Sequence, residues 1–313
     1  MEDMKINYKI IIPFVIIPLV ILYASFSINS TENEIVVKEV LSESKLENTI
    51  TIGTIGEDAV THIKNFQPIV NYIASKISDE EKQYVGKVKI TKTIDSMIIQ
   101  LHEEKIDLFI DSPITTTLVS EQTDAKPILV RWKGGTENYS SVFFVKNDSK
   151  ISSIDDFVEK TIVFENKEST SGYLLPKSYL VKNEFNLLFS TNSTNMIHHI
   201  FAGSDVNVPL WIYQDKADIG VSSNTDFAKI NENYDNEFII VAETQSVPRH
   251  IVTHRSNLDL DLTDKIKQIL IDMDKDPEGL ELLKNFKNTS KFTEIPNKDQ
   301  YNDQMKEILS FLK

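Results

Sequence analysis

Apolar positions follow two rhythms along this chain: every second residue in short runs, every third or fourth in longer ones. Thr49-Ile50-Thr51-Ile52-Gly53 is β-branched and stops at a glycine, which predicts a strand. Phe66, Ile69, Val70, Ile73 and Ile77 stand at helical spacing, and Pro68 is expected in the first turn of that helix, where its missing N–H costs nothing. Val88-Lys89-Ile90-Thr91 alternates as a strand. Ile94, Met97, Ile98 and Leu101 form a helical stripe, and residues 106–111 read as a strand closed by Ser112-Pro113. This β-α-β-α-β order predicts a mainly parallel sheet with helices on its faces.

The order then repeats with new content, although no internal sequence repeat is visible. Strands are expected over 141–145 and 161–164, with a short helix over 154–158 capped by Ser152 or Ser153. A turn and helix follow over 168–181, and strands over 217–221 and 237–242. Ile266, Leu270 and Met273 share a helix face, and residues 299–312 predict a last helix. Both halves therefore read as open, mostly parallel α/β sheets flanked by helices. In such sheets ligands sit beyond the carboxyl ends of the strands, and two facing units make a cleft that closes by hinge motion.

One run fits neither rhythm. Residues 10–28 carry no charge, and Lys5 and Lys9 precede them. At 1.5 Å rise per residue such a run nearly spans a hydrocarbon core of roughly 30 Å. Basic residues ahead of it keep the N-terminus inside and send the remainder outward, and Pro13 and Pro18 are tolerable in a membrane helix. The expectation is a cytoplasmic segment over 1–9, an N-terminal transmembrane helix over 10–28 and a polar tether over 29–48. A signal peptide cleaved within Ala24-Ser25-Phe26-Ser27 is the alternative. A buried core helix is the third reading, disfavoured by the terminal position and basic flank. Asn-x-Ser/Thr sequons begin at Asn29, Asn138, Asn147, Asn192 and Asn288 and suit an exported chain, although an Asn-rich sequence produces several by chance.

Composition narrows the function. The 313 residues suffice for two ordinary domains, and 41% hydrophobic with 26% charged residues is a globular balance. Lys+Arg number 33 against 47 Asp+Glu, a net charge of −14, so the basic footprint of a nucleic-acid binder is missing. Arg131, Arg249 and Arg255 are the only arginines, which argues against several bidentate Arg clamps. The lack of Cys removes disulfides, thiolate metal sites, Cys nucleophiles and a lipid-modified N-terminal Cys.

Motifs for metals and catalysis fare poorly. His198-His199 does not converge on one ion, and His250 and His254 are set apart if Ile251-Val252-Thr253 is a strand. Asp272-x-Asp274-x-Asp276 starts like a calcium loop, but Pro277 and Leu283 replace the required Gly and Glu, so it reads as an acidic helix end followed by a turn. There is no Gly-x-Ser-x-Gly elbow and no P-loop. No catalytic residue, metal or cofactor is expected, and the chain reads as a non-enzyme. Trp132, Trp211, Tyr173 and Tyr213 are read as core-filling aromatics rather than cleft residues.

The informative stretch is Phe164-Glu165-Asn166-Lys167-Glu168-Ser169-Thr170-Ser171-Gly172-Tyr173. A strand ends, a turn follows, and three hydroxyl residues precede a glycine and an apolar helix. Free N–H groups at a helix start, with Ser and Thr hydroxyls beside them, make an anion cradle without formal charge. The plain alternative is that Ser169 or Ser171 merely caps the helix.

Over residues 49–290 the sequence resembles the phosphate/phosphite/phosphonate-binding family of ABC-transporter substrate-binding proteins. Phe66-Gln67-Pro68-Ile69, residues 106–113, and Asn138-Tyr139-Ser140-Ser141-Val142 carry the likeness, with Asp148-Ser149, residues 151–157, Ser169-Thr170-Ser171-Gly172-Tyr173, and Asp276-Pro277-Glu278-Gly279 before Leu282-Leu283. The resemblance implies a two-lobed periplasmic-binding-protein fold of type II with the ligand between lobes, residues 49–138 plus 247–313 forming one and 139–246 the other. It implies that Ser169, Thr170 and Ser171 hold a phosphorus oxyanion, that Tyr139 lies near it at the crossover, and that Ser112 faces the cleft from the other lobe. Two positions depart from the family pattern. Thr116 stands where an aromatic is frequent, and Asp205, in Ala202-Gly203-Ser204-Asp205, stands where a His is common. A carboxylate there accepts a hydrogen bond from a protonated oxyanion or pairs with a ligand ammonium, or is only a loop residue. The net charge does not forbid an anion, because screening at physiological salt acts over about 8 Å.

The resulting expectation is an extracytoplasmic, membrane-anchored or secreted solute-binding protein of an ABC importer, a monomer that binds phosphonate, phosphite or phosphate. The resemblance implies a membrane permease and ATPase as partners. Alternatives are a ligand-sensing module of the same fold signalling to a membrane partner, with only residues 1–9 inside, and a binder of another organic anion such as a sulfonate. Whether Glu168, Asp205 and Asp226 face the cleft stays open from sequence.

Overall fold

The computed structural model describes residues 48–56, 58–185, 187–188 and 196–313. The apolar run over 10–28, its flanks over 1–9 and 29–47, and the sequon at Asn192 lie outside the described residues. Among the described residues no helix is long and apolar enough to cross a membrane.

The first stretch of chain forms β1 (Asn48–Ile55), α1 (Ala59–Ile77), β2 (Tyr84–Thr91), α2 (Ile94–His102), β3 (Leu108–Asp111), α3 (Pro113–Thr123) and β4 (Lys126–Lys133). A short β5 (Asn138–Tyr139) leads into β6 (Ser141–Lys146) and β7 (Thr161–Phe164), then a π-helical turn over Thr170–Leu174 that runs into α4 (Leu175–Lys182). There follow β8 (Leu187–Leu188), β9 (Ile197–Phe201), α5 (Asn207–Tyr213), β10 (Ile219–Ser223), α6 (Asn224–Asn233) and β11 (Phe238–Glu243). The chain returns through β12 (Val247–Pro248) to β13 (His250–His254), α7 (Leu260–Asp272), α8 (Pro277–Asn285), β14 (Thr289–Glu294) and α9 (Lys298–Ser310).

Two six-stranded sheets result, ordered β14-β4-β13-β3-β1-β2 and β11-β6-β10-β7-β9-β8. The second is mostly parallel, as expected, with β6 reversed, whereas the first is mixed, with β13 and β14 reversed. β13 lies antiparallel between β3 and β4, and β6 lies antiparallel between β10 and β11. The reason is the path of the chain. β6 is the first strand to enter the second sheet, through β5, and β13 the first to re-enter the first, through β12, so neither is delivered by the crossover helix that parallel neighbours need. The two connections themselves pair antiparallel, Tyr139 with Val247 and Asn138 with Pro248. The result is the two-lobed α/β arrangement that the sequence led us to expect, two sheets joined by a paired crossover.

Three elements differ from the sequence reading, each for a local reason. Helix α1 begins at Ala59, capped by Asp58, whose carboxylate accepts the Thr61 N–H at 3.1 Å. Pro68 therefore sits mid-helix, and the first two turns were hidden because Val60 and Ile63 are exposed at 78% and 46%. Ser112-Pro113 opens α3 instead of ending in a loop; its Thr-rich sequence conceals the helix, since Thr115 and Thr116 are buried in place of apolar residues. Asp272 ends α7 and a 3₁₀ turn follows over Met273–Lys275, as read, but Asp276 also opens a further helix as the N-cap of α8, with Pro277 at the first helical position. Of the four aromatics read as core, Tyr213 is exposed.

Candidate functional site

The carboxyl ends of strands from both sheets meet at one cleft of about 520 Å³. Several helix starts open on it, each directly following a strand. Ser112 and Thr115 line it from the start of α3, Ser169, Thr170 and Ser171 from the π-turn before α4, and Ser223 and Asp226 from the start of α6. Each such start projects backbone N–H groups that have no partner within the helix, together with the positive end of the helix dipole.

The π-turn shows how the local sequence builds the cradle. Asn166 Oδ1 accepts the N–H groups of Glu168 and Ser169, both at 3.0 Å, which folds the chain back after β7. Ser169 is the N-cap: its Oγ accepts the Gly172 N–H at 3.0 Å and donates to Glu165 Oε2 at 2.6 Å. A side chain at residue 172 would collide with Glu165 and Ser169, so glycine lets that carboxylate reach the turn. Leu174 N–H bonds Ser169 O at 2.9 Å in the wide register of a π-turn. The N–H groups of Thr170 and Ser171 have no hydrogen-bond partner among the described residues. Across the cleft α3 has Pro113 first and no side-chain cap, which leaves the Ile114 and Thr115 N–H groups equally unpaired among those residues. Thr170 Oγ1 donates to Ser112 Oγ at 2.7 Å, so the two helix starts touch across the lobes.

Charged groups surround these neutral donors. Lys92, Lys133 and Arg249 line the cleft, against Asp111, Glu165, Glu168 and Asp226. Its cations therefore do not outnumber its carboxylates, and an anion would depend on dipoles and hydroxyls. Asp111 accepts N–H bonds from Ser112 at 2.8 Å and Ile55 at 3.1 Å, yet burial still raises its pKa. Burial likewise raises Glu165, with further repulsion from Asp205 and Asp226 only partly offset by the Ser169 and Asn166 hydrogen bonds. Arg249 stacks over the Tyr139 ring at 5.2 Å and donates to Thr225 Oγ1 in the other lobe. Burial lowers the pKa of Arg249 and Lys133, while Asp226 opposes the shift at both. His62 and His250 also line the cleft, and burial pulls both below the ordinary imidazole range. Among the described residues no three His, Asp or Glu side chains gather as a metal-binding group.

Ser112, Tyr139, Ser169, Thr170 and Ser171 are thus brought to one cleft, and Glu168 and Asp226 face it too. Asp205 does not. Gly203, at φ +81°, turns the chain so that Gly203 and Ser204 line the cleft, while Asp205 is exposed and its carboxylate accepts the Val206 N–H at 2.8 Å. Sequence reasoning missed Asp111, Glu165 and Ser223. All three sit at or just beyond the carboxyl end of a strand, and that position was the available signal.

Comparison with known proteins adds an independent line. The family model described as "ABC transporter, phosphonate, periplasmic substrate-binding protein" matches residues 55–301. The structure is similar to XAC2383 from Xanthomonas citri bound to chloride ion, with TM-score 0.78 and 23% identity over 84% of this chain and 98% of that one. The same protein bound to ATP gives TM-score 0.77 at 23% identity, covering 85% and 98% of the two chains. PhnD1 from Prochlorococcus marinus in complex with methylphosphonate gives TM-score 0.63 at 16% identity, covering 85% and 98%. Likeness at these identities speaks to the fold.

Proposed function

Because the chain belongs to the phosphonate-type family of ABC-transporter periplasmic substrate-binding proteins, we propose that it captures a phosphorus oxyanion (a phosphonate, phosphite or phosphate) in the cleft between its lobes. The observation that carries this reading is the pair of N–H groups at Thr170 and Ser171 that have no partner among the described residues, set against the start of α3 at Ser112, which has no side-chain cap. Tetrahedral oxyanions suit such donors, which stabilise negative charge without a cation in contact. In this reading Thr170 and Ser171 supply backbone donors and Ser171 its hydroxyl, the Thr170 hydroxyl ties the turn to Ser112, which closes on the anion from the other lobe, and Tyr139 with Arg249 forms the wall at the crossover. Asp205 is left out, since it points to solvent.

The loaded protein would be read by a membrane permease with its ATPase, and the apolar run over 10–28 would hold it at the outer face of the membrane. No bound group is needed for capture. Titration calorimetry of the full chain in detergent tests the proposal with phosphate, phosphite, methylphosphonate, 2-aminoethylphosphonate and sulfate. Tight binding of one phosphorus compound with sulfate silent is the expected result. Silence toward every phosphorus compound overturns it, and leaves Ser169 as a helix cap and nothing more.

A further inference from the structure

Glu165 is the unexpected group at the cradle. It lies at the carboxyl end of β7, lines the cleft, and reaches under the turn that carries the unpartnered N–H groups. Its carboxylate takes the only proton Ser169 Oγ has, at 2.6 Å, and the amide of Asn166 at 3.1 Å. Ser169 Oγ in turn accepts the Gly172 N–H. With those bonds in place Ser169 has no proton left for an anion. The wall below Thr170 and Ser171 then presents lone pairs and a carboxylate, which repel a fully deprotonated oxyanion and accept a hydrogen bond from a protonated one.

We propose that Glu165 makes the cleft read a proton on its ligand: the bound phosphorus oxyanion shares one proton with this carboxylate, so protonated monoanions are taken and oxyanions without a proton, such as sulfate, are refused. This rests on the phosphorus reading above and narrows it to one protonation state. The proton arrives either on the ligand or on Glu165, and the complex is the same. Burial and the nearby Asp205 and Asp226 carboxylates already favour the protonated form of Glu165.

The other groups around the cleft are placed differently: Glu168 is exposed, and Asp226 accepts the Ser223 hydroxyl at 2.6 Å and faces the Arg249 and Lys133 cations. His62 and His250, facing from the first lobe, are held below the ordinary imidazole range and stay neutral above it. Asp111 is tied to the Ile55 and Ser112 backbone N–H groups. Lys92, Lys133 and Arg249 contribute positive charge that attracts anions of either protonation state.

The test is calorimetry of the full chain with methylphosphonate from about pH 6 to about pH 9, in two buffers of different ionisation enthalpy. One shared proton predicts an affinity that falls about tenfold per pH unit above the second dissociation of the ligand and the pKa of Glu165, with uptake of about one proton. Glu165→Gln keeps the size and a hydrogen-bond acceptor while replacing the charge by an amide donor. It should flatten the pH profile, abolish proton uptake and create measurable sulfate binding. Because the proton count uses the unaltered protein, a variant that fails to fold does not decide the matter. Methylphosphonate binding with no proton uptake and a flat profile overturns the inference and leaves phosphorus capture standing. If no phosphorus compound binds at all, the functional reading fails, and this one with it.

Discussion

Ser169 is the helix cap that one of the two sequence readings offered: its Oγ accepts the Gly172 N–H, and the next two residues, Thr170 and Ser171, line the cleft with N–H groups unpaired among the described residues. Thr170 is the sharper probe, since its hydroxyl alone crosses to Ser112. Thr170→Val keeps the shape and removes the hydroxyl. Calorimetry should show weaker binding of the preferred phosphorus compound by about 0.5–1.5 kcal/mol, roughly two- to tenfold in Kd, with the fold intact. Glu165 makes a second prediction in the ligand-free protein. Its folded pKa is raised above the ordinary 4.5, so the folded state holds a proton more tightly than the unfolded chain. That advantage is present at low pH and is lost as pH rises through the folded pKa. Glu165→Gln should therefore match the parent in Tm near pH 4 and exceed it near pH 8, by scanning calorimetry across about pH 4–8. Equal differences at both ends would mean the charge is not the cause.

At the scale of elements, close approach decides the packing. Gly86 in β2 lies beneath α1, where an added Cβ would stand 2.7 Å from the backbone carbon and oxygen of Val70. Gln67 Nε2 also donates to Gly86 O at 2.9 Å, pinning the helix to the strand. Gly86→Ala should cost about 1–3 kcal/mol in chemical denaturation, because a backbone cannot yield as a side chain can. Helix α9 ties the two halves of the chain together. Met305, Ile308 and Leu309 share a buried cluster with Ile114 and Ile251 of the first lobe and Leu175 of α4, and Lys182 pairs with Glu307 at 2.7 Å. Met305→Ala should destabilise the protein by about 2–5 kcal/mol, whereas Lys182→Ala, at an exposed pair, should change stability by under about 1 kcal/mol. A reversed order in urea unfolding would show that charge, not packing, makes this contact.

Across the molecule, three imidazoles, His254 buried and His62 and His250 half-buried, lead to an expected pH dependence of stability. His62, His250 and His254 all have pKa values below the ordinary 6.5 through burial, with neighbouring cations adding to it and, at His254, the Arg255 backbone hydrogen bond partly opposing it. The unfolded chain therefore binds more protons than the folded one below about pH 6.5, and stability falls as pH falls through that value. The Tm should drop between about pH 7 and pH 5, and His250→Asn should make that drop shallower. Glu165 and Asp111 act in the opposite sense at lower pH, since both carboxyls are raised.

The sequence by itself determined the class of each long element, because apolar periodicity is a local property of consecutive residues. Strand β7 and helix α2 were legible to within a residue, and the hydroxyl turn at 169–171 stood out by composition alone. The same local logic failed for α3, where Thr115, Thr116 and Thr123 share the buried face with Ile114 and Val119, and for the start of α1, whose apolar residues are exposed. Only the tertiary structure decided the rest. Which strand enters a sheet backwards depends on where the chain crosses over. Which carboxylate reaches the cradle depends on distances between segments far apart in sequence or turned by one glycine. Asp205 and Glu165 are both acidic residues near the motif, and sequence reasoning chose the first. The positive φ of Gly203 sends Asp205 outward, while Gly172 leaves room for Glu165 to come in.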